Sequence, residues 1–278
     1  MLGKLIKYEF KATYKFMVML YCILFALSLV LSVSLKLNIV DIINGFTSEF
    51  NIGGLLMMVI SIIFMIMFAV ISASVLCGMF FYSIVRFKNN LLGNEGYLMH
   101  TLPVKESQNI LAKLIVSVVW TIAGVFALII SYGTIILIIS SSKAVADLFS
   151  QVPALLRTAL TYYHDIIPEF ILYVVEITLC CLTSLVSMYM HIYASMAVGY
   201  SFNSHRALIS VGIYIAVSVA MNVIDVIAIT PFQYLGIVDT SAVISHFPLI
   251  FSSVINLVSA VVLYIVTDYF MSKRLNLQ

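Results

Sequence analysis

Residues 53–82 read Gly53-Gly-Leu-Leu-Met-Met-Val-Ile-Ser-Ile-Ile-Phe-Met-Ile-Met-Phe-Ala-Val-Ile-Ser-Ala-Ser-Val-Leu-Cys-Gly-Met-Phe-Phe-Tyr82, inside a run from Phe50 to Val85 that contains no charge. A helix crosses a bilayer with about 20 mostly apolar residues. A Lys, Arg or Asp at its centre costs about 2.5–3.5 kcal/mol. Five further runs share the pattern: Phe16 to Leu35, Leu114 to Ser142, Ile177 to Ser204, Ala207 to Ile224, and Thr240 to Thr267. Asp225 closes the fifth, and His246 stands near the start of the sixth. The pattern predicts an all-α integral membrane protein with six spans, near 16–35, 53–82, 113–140, 170–198, 207–229 and 249–270. The second run exceeds what a bilayer needs, so its helix is expected to tilt or to extend into water.

Composition leads to the same class. Hydrophobic residues make up 63% of the 278, charged residues 9%, and the mean hydropathy is +1.14. A soluble domain carries about 25% charged residues, and the 14 basic and 12 acidic side chains here cannot cover a globule in water. A net charge of +2 gives no footprint for nucleic acid. The four cysteines, Cys22, Cys77, Cys180 and Cys181, all fall in apolar stretches without metal-ligand spacing. They read as buried or lipid-facing thiols.

The basic residues set an expected orientation. Eleven of the 14 flank the same ends of the spans: Lys4, Lys7, Lys11 and Lys15; Arg86, Lys88, Lys105 and Lys113; Arg206; Lys273 and Arg274. Lys36, Lys143 and Arg157 lie at the opposite ends. Positive loops stay in the cytoplasm, so both termini are expected inside, in a multi-pass plasma-membrane protein. The first run does not read as a cleavable signal peptide.

Four segments outside the spans stand out in the single transmembrane domain, 1–278. In 1–15, Lys4, Lys7, Lys11 and Lys15 share an arc of about 80° at 100° per residue, opposite Leu2, Leu5, Ile6 and Phe10. That is the pattern of an amphipathic helix at the membrane interface. Glu9 sits on the apolar side, where lipid does not accommodate it, and is expected to face a polar partner within the protein. In 86–112, Gly93-Asn94 can end one helix and start another, and a short helix over 95–101 would stop at Leu102-Pro103. Such a helix has only the membrane surface or a partner to bury against. In 141–168, apolar spacing around Leu148, Leu155 and Leu156 fits an outer amphipathic helix interrupted at Pro153. Residues 230–248, bounded by Pro231 and Pro248, read as an outer segment that is either re-entrant or on the surface.

Catalytic signatures are not evident. The sequence has no GxxxxGK[ST] phosphate loop, no HExxH and no GxSxG. Neither a catalytic residue, a metal nor a cofactor is expected. Glu176 and Asp225 are the acids within or bordering the spans. Intramembrane acids are functional candidates; an acid reaching outer headgroup water, an interhelical bond and an ion relay are the open readings.

The loop after the second span resembles that of type-two permeases of ATP-binding-cassette exporters. The matching residues are Glu95-Gly96, Leu98, Leu102-Pro103-Val104 and Lys113-Leu114. Lys7-Tyr8-Glu9-Phe10-Lys11 is similar to that family's interfacial helix, and six spans match it along the whole chain. The resemblance implies that the loop rests in a groove of a separate cytoplasmic ATPase. Glu95, Gly96, Tyr97, Leu98, Leu102 and Pro103 are then the coupling residues. It also implies a second permease copy or paralogue, and ATP bound by the partner ATPase rather than by this chain. The expected function is export of a peptide, antibiotic or lipid-like substrate. A secondary transporter and a non-transporting scaffold or sensor are the alternatives.

Overall fold

The computed structural model describes residues 2–45, 52–93, 104–140, 150–151, 153–154, 157–158, 166–202, 204–234 and 246–273. Six long helices carry most of them: α1 (Leu2–Gly45), α2 (Ile52–Phe87), α3 (Glu106–Ile139), α4 (Ile166–Gly199), α5 (Arg206–Tyr234) and α6 (His246–Lys273). All six hold stretches long and apolar enough to cross a membrane. Each contains one of the charge-free runs or the greater part of it.

Three boundaries differ from expectation in an informative way. Residues 2–15 are not a separate helix, because α1 runs unbroken for 44 residues, about 66 Å at 1.5 Å per residue. Sharp bends need Pro, Gly pairs or a π-bulge, and between Lys4 and Asn44 the sequence has neither Pro nor Gly. The second helix passes its expected end at 82, reaches Phe87, and widens into a π-helical turn, Lys88–Leu92. Gly93 caps it, where a Cβ would meet the Asn89 carbonyl at 2.9 Å. The third helix starts at Glu106, ahead of the span expected near 113–140.

Two compact units divide the chain. The first comprises 1–9, 82–118 and 163–278. In it α4 packs against α6 and α5, and small side chains let the backbones approach. Ser187 and Ser259 share a buried hydrogen bond of 2.7 Å. At Gly199 a Cβ would come within 2.7 Å of the Ser210 backbone, so α4 and α5 nearly touch there. His205, in the connection between them, takes a left-handed φ of 51°. Phe87 stacks on Tyr193 at 4.0 Å, both fully buried. The Tyr193 hydroxyl bonds Ser117 at 3.0 Å, and Tyr264 donates to the Ser107 carbonyl at 3.1 Å.

The second unit comprises 10–81 and 119–162. Polar side chains tie its apolar helices together. The Trp120 indole N–H donates to Thr13 Oγ1 at 2.8 Å, and the Tyr21 hydroxyl donates to the Trp120 carbonyl at 2.8 Å. Phe10 and Tyr21 tilt against the Trp120 ring. Further along, Ser28 pairs with Thr134 at 3.1 Å. Asn38 donates to Ser61 and to the Met57 carbonyl. A Cβ at Gly124 would overlap the end of the Met79 side chain.

Much of each helix surface is apolar and exposed, as at Leu56, Ile66, Val70, Ile129, Val175 and Ile265. Such surface is stable against lipid and not against water.

Candidate functional site

Among the described residues, side-chain chemistry gathers in three places, all within the first unit. The first is an ion cluster. Glu9 is 8% exposed on the buried face of α1, one turn before Thr13 and two before Met17. Its Oε2 accepts from Arg86 Nε at 2.7 Å, and its Oε1 accepts from Lys113 Nζ at 2.7 Å. The Lys113 side chain is 5% exposed. The expectation that Glu9 faces a polar partner holds, and the partners come from the end of α2 and the second turn of α3. These are the two helices that bracket residues 88–105. Three charges are removed from water together, which is favourable only because each is paired and hydrogen-bonded. Lys4, Lys7, Lys11 and Lys15 lie exposed on another face of α1.

The second place joins Glu176 to His246. Glu176 is 9% exposed, and its Oε2 lies 2.7 Å from His246 Nδ1, with the Tyr173 ring edge-on to the imidazole. Of the readings open for this acid, the interhelical bond is the one observed. His246 was met in the sequence only as a residue near the start of a run, and its pairing became visible once α4 and α6 were packed.

The third is a polar cavity of about 190 Å³ between α4, α5 and α6. Asp225 lines it, and among the described residues it has no hydrogen bond or ion pair. From α5, Tyr214, Ser218, Met221 and Asn222 join it. Steps of four, three, one and three residues put these on one helix face. Ser184, Ser187 and His191 of α4 face them, with Asn256 of α6. His191 Nε2 is buried without a partner, and its ring stands edge-on to that of Tyr214. A ring nitrogen of imidazole donates or accepts according to its tautomer, so a hydroxyl can meet Nε2 in either role. The sequence reading singled out Asp225 and not its neighbours. The α5 spacing was the available signal, hidden because Ser, Asn and Tyr are ordinary in apolar runs.

The loop residues Glu95, Gly96, Tyr97, Leu98, Leu102 and Pro103 lie outside the described residues. So do most of 141–165 and all of 235–245. Among the described residues no three His, Cys, Asp or Glu side chains gather as a metal site. The four cysteines are free.

Compared with known proteins, the chain matches no family model, no curated protein and no solved structure. Six apolar helices of membrane length make it a multi-pass membrane protein.

Proposed function

We propose that this chain is the permease subunit of an ATP-driven exporter, with the ATPase and a second permease supplied by other chains. In this reading both termini and residues 86–112 are cytoplasmic. The observation that carries it is the Glu9 cluster. One carboxylate fastens the start of α1 to the end of α2 and the beginning of α3, and so holds both stems of the segment that bears Glu95-Gly96 and Leu102-Pro103. A coupling element must transmit displacement without being pulled off its helices, and a buried double ion pair at its stems gives it that footing. The exposed lysines of α1 would meet anionic headgroups beside it. The substrate would leave between the permease halves.

The test is affinity capture of the chain from native membranes. A nucleotide-binding ATPase is expected in stoichiometric amount. Leu98→Asp and Leu102→Asp are expected to detach it while the six helices still fold, because an unpaired aspartate at a buried contact costs several kcal/mol. Normal ATPase capture and substrate-stimulated hydrolysis in both variants would remove the support for this reading.

The polar cavity favours a second reading, a secondary transporter, because such proteins place polar residues near the membrane midplane. Substrate movement in vesicles that contain an ion gradient and no nucleotide would distinguish it.

A further inference from the structure

We propose that the cavity between α4, α5 and α6 binds a linear molecule with a primary ammonium at one end and a neutral hydroxyl about 10 Å along. The proposal does not depend on ATP-driven export, since it concerns binding by this chain alone.

The argument begins with charge. Among the described residues, Asp225 lines the cavity without a partner and no Lys or Arg lines it. Further polar linings, among them Ser184, Ser218, Asn222 and Asn256, are neutral and offer oxygens. A carboxylate on a membrane helix needs a counter-charge or water, and the described lining provides no Lys or Arg. An anionic ligand would face Asp225 directly and gain no compensating charge.

Length comes next. The near-contact of Gly199 with Ser210 fixes the level at which the antiparallel helices α4 and α5 cross. Fifteen residues back along α4 is Ser184, and fifteen forward along α5 is Asp225, so these two are level. His191 lies seven residues from Ser184, about 10 Å along the helix. The cavity lining therefore carries an anion and, about 10 Å along the helices, an unpartnered ring nitrogen, His191 Nε2. Met188 and Met221 line it as well, flexible apolar walls suited to a methylene chain. A volume of about 190 Å³ equals roughly six waters' share of liquid, the scale of a short chain and not of a peptide. One charge and one hydroxyl match the lining, whereas a second ammonium would find no second carboxylate among the described residues.

The experiment uses the full chain in lipid nanodiscs, with empty discs as the blank, and isothermal titration with three probes. These are 8-amino-1-octanol, octylammonium and 1-octanol. The amino alcohol is expected to bind tightest, octylammonium several-fold weaker, and octanol no better than to empty discs. Asp225→Asn is expected to weaken the amino alcohol about tenfold, the scale of one charge-assisted hydrogen bond, and Asp225→Glu to restore most of it. His191→Leu is expected to reduce the amino alcohol to the affinity of octylammonium and to leave octylammonium unchanged. Equal binding of amino alcohol and octanol to the wild-type chain overturns the proposal, whether or not any variant folds. Full affinity in Asp225→Asn overturns it as well. Displacement by potassium chloride, but not by choline chloride at the same ionic strength, would assign the slot to a bare alkali ion and also refute it.

Discussion

Glu9 and Asp225 are carboxylates on membrane helices with opposite surroundings. Glu9 is clasped by Arg86 and Lys113, while Asp225 faces a cavity and, among the described residues, pairs with nothing. Removing one partner of a buried ion pair typically costs about 3–5 kcal/mol, because it strands the other charge. Glu9→Leu is therefore expected to lower the thermal midpoint of the purified protein clearly. Glu9→Leu with Lys113→Met is expected to recover part of that loss, as measured by a double-mutant melting cycle. No recovery would show that the carboxylate is held for another reason. Glu176→Gln, which weakens the bond to His246, is expected to cost about 1–3 kcal/mol. Asp225→Asn is expected to stay within about 0.5 kcal/mol of wild type, since it breaks no described contact. A reversed ranking of these two variants in the same melting assay would contradict the pairing. The position of Glu9 on the apolar arc made its need for a partner legible in the sequence. Its actual partners were not, because Arg86 and Lys113 are 77 and 104 residues away and local spacing carries no such information.

At the scale of elements, charge-free runs located all six helices, since lipid admits few charges at helix centres. They fixed the ends poorly. Long helices continue into water when nothing breaks them, so α1 and α2 overrun their runs. The π turn after Phe87 has no sequence signature in the charge map. Helix crossings depend on single residues that the runs do not distinguish. Gly124 and Gly199 both permit close approach, but differently. A Cβ at Gly124 would strike the Cε of Met79 at 1.6 Å, the free end of a flexible side chain that can swing aside. At Gly199 it would meet the backbone nitrogen and Cα of Ser210, both at 2.7 Å, and backbone in a packed helix cannot. Gly199→Ala is expected to destabilise by about 1–3 kcal/mol, the usual cost of overpacking, and Gly124→Ala by less. Thermal melts of the two variants check this, and equal effects would mean that α4 and α5 separate easily.

For the whole molecule, the eleven-to-three distribution of basic residues carries the proposed orientation. In a background with Cys22, Cys77, Cys180 and Cys181 replaced, Arg157→Cys is expected to react with an impermeant maleimide from outside intact cells. Lys88→Cys is expected to react only after the membrane is opened. The opposite pattern would invert the topology and leave the loop at 86–112 out of reach of any cytoplasmic ATPase. The membrane class was legible at this scale because composition alone expresses it. The cavity was not, because it arises where three apolar runs turn their few polar residues toward one another. Trp120 has a practical consequence of its own. It is the one tryptophan in the sequence, and its indole is hydrogen-bonded to Thr13 and flanked by Phe10 and Tyr21. The protein thus carries a built-in fluorophore where the third helix meets the first. Any motion that separates them changes the polarity around a single emitter, and its colour reports that motion without a label.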